Sequence, residues 1–380
     1  MNELFIVTGA LGHLGNTIIR YLMKQNVEIR GLIMPHEKSP HTQQVQYFHG
    51  DVRDLKSLLP LFEHIENKKV YVIHTAGIIS MDEYITPLLY EVNVRGVRNV
   101  VSLCLQKHVY RFIYVSSVHA LKQEDGIISE TSYFSSELVK GGYAKTKAEA
   151  TSFVLSSVNL GLNGIVVLPS GIIGPYGDSS NYLVQFINDY IHYHLWTCVK
   201  GGYDFVDVRD VAMGCLLAAR KGRVGECYIL SSQYYEMKSL LNIVKQIHEG
   251  PRLVMVPTLL AKACLPIIQG LAKLKKQRPL YTPYSLYTIT HSHFFSHQKA
   301  SEELGYTTRP MEVTLKDTVL WLIKTTSKRR GFLCGYKPLL LARVSRRCFH
   351  FVQATALDSR YPSKGFFAIF LSSLFSSSLS

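Results

Sequence analysis

Short apolar runs recur along the first two-thirds of the chain: Leu4–Val7, Val27–Met34, Val45–Val52, Val70–His74, Arg111–Val115, Ile165–Leu168 and Glu226–Leu230. Their length, and the glycines, prolines and polar clusters around them, suit strands buried on both faces. Between them apolar residues return every three or four positions. Asn16–Gln25, a segment opening at Asp54 or Leu55, one carrying Asn93 and running to about Lys107, and one introduced by Phe205–Val211 and running to about Lys221 read as helices with one apolar face. Strands and helices in alternation predict right-handed β-α-β crossovers and an α/β fold, a doubly wound parallel sheet. In such a sheet, functional groups gather beyond the carboxyl ends of the strands.

From Tyr235 the texture changes. Met237–Glu249 and Thr258–Lys275 read as helices and are followed by stretches rich in Pro, Tyr and His. Pro169-Ser170-Gly171-Ile172-Ile173-Gly174-Pro175 reads as a loop over the site, since Pro and Gly interrupt regular structure. The expected organisation is a Rossmann-type nucleotide-binding domain over residues 1–175, with 205–233 returning to it. Residues 176–204 and 234–325 form a smaller C-terminal substrate lobe, and 326–380 a basic, serine-rich tail. Pro266 interrupts Thr258–Lys275, which favours packing in the lobe over contact with a membrane surface.

Composition narrows the function. Apolar residues make up 47% and charged residues 18%, as in a globular enzyme. The net charge of +14 invites a nucleic-acid reading, but from Thr326 onward nine Lys/Arg face one acid, Asp358, for a net +8. The +6 left on residues 1–325 forms no dense basic stripe, so no nucleic-acid partner is expected. Seven cysteines form no C-x-x-C pair, which points to reduced thiols and a cytoplasmic protein. No apolar run reaches membrane-spanning length, and the first strand begins at once, without a signal peptide. His291, His293 and His297 lack a fourth ligand and a supporting Cys or carboxylate pattern, so no metal is expected.

Candidate chemistry lies where the strands end. Leu4–Val7 runs into Thr8-Gly9-Ala10-Leu11-Gly12-His13-Leu14-Gly15 and then a helix, the setting of a dinucleotide-binding turn. Glycines let the backbone approach a pyrophosphate, and the helix N-terminus offers N–H groups and a positive dipole end. The second strand ends in Met34-Pro35-His36-Glu37-Lys38, with neither Asp for a ribose hydroxyl nor Arg for a 2′-phosphate. His36 and Lys38 tip the open choice between NAD and NADP slightly towards NADP, although Glu37 opposes it. Asp51, beside Val52, either bonds the adenine amino group or caps the next helix. Ala76-Gly77 gives a second close backbone approach, and Ser116-Ser117 ends the fifth strand. Tyr143 and Lys147, four apart on a helix, share a face. A cation beside the phenol would lower its pKa and make it a general acid/base.

With glycine turn, Asp51, Ser116-Ser117 and Tyr143-x-x-x-Lys147 in this order, the chain resembles an extended short-chain dehydrogenase/reductase of the NAD-dependent epimerase/dehydratase group. Within that group it resembles dihydroflavonol-reductase-like and 3β-hydroxysteroid-dehydrogenase-like members over about residues 2–323. Val72–Gly77, Asn93-Val94-x-Gly96, Phe205–Val211 and Lys299–Tyr306 match as well. The resemblance implies that Ser117, rather than Ser116, polarises the substrate oxygen and that Tyr143 moves the proton. It also implies that Lys147 binds the nicotinamide ribose, and that Asn93 with the Pro169–Ile172 backbone holds the nicotinamide end. The implied reaction interconverts an aldehyde or ketone and an alcohol of a small molecule, and a homodimer is left open. The alternatives are a nucleotide-sugar epimerase or dehydratase, and a non-catalytic redox sensor. Leu168, where many sugar-modifying relatives carry Arg, argues against the first, and the complete Ser-Tyr-Lys set against the second.

Overall fold

A computed structural model describes residues 2–177, 181–274, 282–291 and 294–331. The first half alternates as its pattern predicts. In order come β1 (Asn2–Thr8), α1 (His13–Leu22), β2 (Glu28–Ile33), β3 (Gln46–His49), α2 (Leu55–Leu58) and β4 (Lys68–His74). There follow α3 (Pro87–Tyr90), a π-helical turn over Glu91–Arg95, α4 (Gly96–Gln106), β5 (Arg111–Val115), the two-residue β6 (Ile127–Ile128) and α5 (Gly142–Val158). Next are β7 (Gly164–Pro169), β8 (Gly171–Ile173), α6 (Tyr182–Ile191), β9 (Thr197–Val199), β10 (Gly202–Asp207), α7 (Val208–Lys221) and β11 (Cys227–Leu230).

Seven strands form one parallel sheet in the order β11-β7-β5-β4-β1-β2-β3. The chain turns one way from β1 through β3 and the other way from β4 onward, which opens a crevice beyond the carboxyl ends of β1 and β4. Alternate residues of β1 serve opposite faces. Leu4 and Ile6 join a core with Val97, Val101 and Ala148 from α4 and α5, while Phe5 and Val7 join one with Ile18, Val211 and Cys215 from α1 and α7. Both faces are therefore covered, which is why these strands read as unbroken apolar runs. This is a Rossmann-like doubly wound α/β fold.

The rest of the described chain comprises β12 (Gln233–Glu236), α8 (Met237–Ile247), β13 (Val254–Val256), α9 (Thr258–Leu274), α10 (Pro283–Thr290), β14 (Phe294–Phe295), α11 (Gln298–Leu304) and α12 (Met311–Gly331). A third core joins Val184 and Ile187 of α6, Leu240 and Val244 of α8, Phe205 of β10, and Leu315 and Val319 of α12. On α9, Ala261, Cys264 and Leu265 are buried with Val199, Val256 and Leu286. No helix among the described residues is long and apolar enough to cross a membrane.

Two local expectations differ from what is found. Pro169 does not open a loop: it is the last paired residue of β7, opposite Leu230, where the ladder ends and no further N–H is needed. The chain then resumes as β8, which pairs with β10, and a Cβ on Gly171 would lie 2.9 Å from the Asp204 carbonyl oxygen. Phe205–Asp207 belongs to β10, and this strand pairs with β8 and β12 in a small sheet of its own. Helix α7 starts only at Val208, capped by the Asp207 carboxylate, which accepts from the Arg209 N–H at 2.7 Å. Helix α12 continues to Gly331. Residues 332–380, most of the basic tail, and His293 of the histidine group lie outside the described residues.

Candidate active site

The carboxyl end of β5 and the first turns of α5 meet at the crevice. Ser116 and Ser117 follow Val115. The Ser116 hydroxyl lies 2.6 Å from that of Thr151, which itself donates to the Lys147 carbonyl, so Ser116 is tied into the packing of α5. Ser117 accepts from the His119 N–H at 3.2 Å, and its hydroxyl stands near enough to the Tyr143 phenol to favour the ionised form. Tyr143 and Lys147 are both buried. The Lys147 ammonium donates to the Val115 carbonyl at 2.8 Å and sits over the Tyr114 ring.

This geometry corrects the expected phenol chemistry of the ligand-free protein. Sharing a helix face does not suffice to depress the Tyr143 pKa, because the ammonium is turned to Val115. Burial pushes Tyr143 up to about 12, partly offset by the neighbouring Ser117 hydroxyl. Burial also pushes Lys147 down to about 7. At neutral pH the Tyr143 phenol is therefore protonated.

The glycine turn is packed as a cradle for a dinucleotide. Gly9 has φ +67°, and a Cβ there would lie 2.9 Å from the Ala76 nitrogen; one on Gly15 would overlap the Gly9 carbonyl oxygen. Helix α1 opens at Gly12 with no side-chain cap and no acid in its first turn, so its N-terminal dipole is left for an anion. These features fit the pyrophosphate of a nicotinamide dinucleotide. His13 clasps the far side: its Nε2–H donates to the Pro175 carbonyl at 2.9 Å, and Nδ1 accepts from the Asn181 amide at 3.0 Å. Asn181 in turn caps α6 through the Leu183 and Val184 N–H groups.

A single cavity of about 490 Å³ joins these parts. Gly12, His13, Leu14, Gly15 and Gly77 line one end, and Ser117, Tyr143 and Lys147 its middle, with Pro169 and Ile172 alongside. Gly9 and Ala76 lie behind this surface, packed on each other. Asn93 is buried on the π-helical turn, where it accepts from the Ile78 N–H at 2.8 Å and donates to the Ile78 carbonyl at 2.9 Å, fixing the loop after β4. Asp51 is gripped by the Arg53 guanidinium at 2.6 Å, whose hydrogen bonds hold its carboxyl below the usual range. Asp54, not Asp51, caps α2, accepting from Lys56 at 3.0 Å. Val52 packs beneath Gly96. Lys38 is exposed, whereas the Glu37 carboxylate folds back onto the tip of β2 and accepts the Met34 N–H at 2.7 Å.

Sequence reasoning missed His119, Tyr203 and Tyr284, which meet beside Tyr143 and line the same cavity, as do the apolar Met81, Phe186 and Ile289. His119 stands two residues after Ser117, and that proximity was the only local signal. Among the described lining residues Lys147 is the one Lys or Arg, and none is Asp or Glu.

Comparison with known proteins agrees with this architecture. The profile of the NAD dependent epimerase/dehydratase family matches residues 5–230. "Sterol demethylase protein B" of Methylococcus capsulatus is 27% identical over 330 residues, covering 83% of this chain and 97% of that protein. The "Putative dihydroflavonol 4-reductase" of Synechocystis is 26% identical over 334 residues, covering 84% and 95%. The crystal structure of gox2253 superposes with a TM-score of 0.70 at 28% identity, covering 85% of this chain and 99% of that one. The chain belongs to the NAD-dependent epimerase/dehydratase family and is an NAD-dependent enzyme of the extended short-chain dehydrogenase/reductase type.

Proposed function

We propose that the protein interconverts a ketone or aldehyde and its alcohol on an uncharged, largely apolar small molecule. The observation that carries this reading is the character of the cavity beside Tyr143: its described lining is mostly apolar and aromatic, with neutral polar groups between, and holds no Lys or Arg besides Lys147 and no Asp or Glu. A nucleotide sugar brings a pyrophosphate of its own, which calls for Arg or Lys contacts beyond those serving the cofactor. The names of the two relatives, a sterol-acting protein and a reductase of dihydroflavonol type, accord with a fused-ring, uncharged substrate.

In this reading Tyr143, protonated at neutral pH, gives its proton to the carbonyl oxygen, and Ser117 hydrogen bonds the same oxygen and orients it. Lys147 holds the ribose of the cofactor. The bound nicotinamide supplies or accepts the hydride. Gly12–Gly15 at the N-terminus of α1 hold the pyrophosphate, and Asn93 acts at one remove by fixing the loop at Ile78. We read the cofactor as NAD rather than NADP. The Glu37 carboxylate at the β2 tip would repel a 2′-phosphate and can accept from a ribose hydroxyl, which outweighs the exposed Lys38. Buried free thiols at Cys104, Cys198, Cys215, Cys227 and Cys264 support a reducing, cytoplasmic setting.

The test follows NADH and NADPH absorbance of the full chain with cyclic ketones, aldehydes and UDP-glucose. The reading expects NADH-dependent reduction of apolar ketones. Conversion of UDP-glucose with no turnover of any carbonyl would overturn it in favour of an epimerase.

A further inference from the structure

Three elements distant in sequence bring His119, Tyr203 and Tyr284 together beside Tyr143. The Tyr284 hydroxyl lies 3.0 Å from His119 Nδ1, and the Tyr203 hydroxyl 3.1 Å from Nε2. The imidazole is stacked on Tyr203, with centroids 5.6 Å apart at 14°, and meets Tyr143 edge to face at 6.0 Å. Tyr284 is seated against Gly141, whose φ of +90° leaves no room for a side chain: a Cβ there would overlap the phenol ring. The trio is thus held by β10, α10 and the residues just before α5.

Counting protons rather than atoms exposes an unused donor. A neutral imidazole has one N–H, so one nitrogen donates to a phenol oxygen and the other accepts a phenol O–H. The phenol that accepts keeps its own O–H. A charged imidazole would free both phenols. Burial raises both phenol pKa values, so neither hydroxyl ionises near neutral pH. All three residues line the cavity. A free O–H among apolar neighbours is costly until it meets an acceptor.

We propose that His119, Tyr203 and Tyr284 form a second polar subsite that hydrogen bonds a neutral oxygen of the substrate, separate from the oxygen that Tyr143 protonates. The inference rests on the carbonyl reading above and sharpens its substrate class to apolar ring compounds bearing two oxygens. The hub imidazole stands one ring away from Tyr143, so both oxygens belong to one small molecule.

The experiment compares 4-cyclohexylcyclohexanone with derivatives carrying one hydroxyl at each position of the second ring. Equilibrium binding to the full chain saturated with NADH is read by cofactor fluorescence, so no turnover is needed. The wild type is expected to bind the best-placed hydroxyketone about 10-fold tighter than the parent ketone, the worth of one hydrogen bond in a dry site. In the Tyr203→Phe/Tyr284→Phe double variant that ratio falls to about 1. Cofactor affinity and melting temperature are measured beside it. If the double variant does not fold, the two single variants and His119→Phe carry the same comparison, and at least one must lose the preference. Equal binding of all members by the wild type, or an unchanged preference in the variants, overturns the subsite and leaves the carbonyl reading standing. Binding of NADH but of no ketone at all overturns that reading, and the subsite with it.

Discussion

The two ends of the cavity are made in different ways. At the glycine turn the tightest contacts are backbone on backbone: Gly12 and Gly15 crowd the Gly9 carbonyl, and Gly9 crowds Ala76 at the neighbouring strand end. The backbone does the work there, and α1 follows the turn directly. Beside Tyr143 side chains do the work, and Tyr203 and Tyr284 reach His119 across 84 and 165 residues of sequence. An end built from backbone tolerates no side chain but accepts many partners of one shape. An end built from side chains depends on which residues stand there, so a glycine spacing announces the first and no spacing announces the second.

The comparison breaks most sharply in the middle, at Tyr143. Tyr143→Phe keeps the ring and removes the proton donor, so turnover should fall about 10²–10⁴-fold while NADH affinity, measured by titration, stays close to wild type. An unchanged rate on a substrate of the wild type would remove Tyr143 from the chemistry.

The next effect belongs to the glycine end. Gly15→Ala forces a methyl group onto the Gly9 carbonyl, and overpacking of this kind costs about 1–3 kcal/mol. Weaker NADH binding and a lower melting temperature are expected together. A variant that binds NADH normally would mean that the turn has slack.

Lys147 sharpens the comparison through pH. Its folded pKa of about 7 lies below the ordinary 10.5, so between these values the unfolded chain binds more protons than the native one. Stability of the ligand-free protein should therefore rise with pH through this window, by about 2 kcal/mol between pH 7 and 9. The raised Tyr143 works the other way, but only between about 10 and 12. Denaturant melts of wild type and Lys147→Met isolate the contribution: the variant should show a flatter pH dependence, and parallel profiles would place the ammonium in contact with solvent. The smallest effect is at the β2 tip. Glu37→Gln should shift the NADH-to-NADPH preference towards NADPH by about 10-fold, the worth of one charged contact. No shift in the titration would remove Glu37 from the ribose site.

How much was legible follows the same division. Arg111–Val115 is found unchanged and Val70–His74 lies within β4, because strands covered on both faces must be apolar throughout. The three-residue β8 is too short to show a period, and Pro and Gly disguised it as a loop. In the site, the i, i+4 spacing brought Tyr143 and Lys147 to one cavity, but it could not report burial, and burial decides the direction of both pKa values. Asp51 was visible as a residue, whereas its pairing with Arg53 was not. Tyr284 gave no signal at all, since its role depends on packing against Gly141.

The most direct test of the central claim is isotopic. NADH deuterated at the transferring position is incubated with the full chain and an apolar cyclic ketone, and the products are read by mass spectrometry. The account predicts one deuterium in the alcohol, consumption of one NADH per alcohol formed, and loss of both in Tyr143→Phe. Unlabelled ketone returned intact, beside interconversion of UDP-glucose without net NADH consumption, would contradict it.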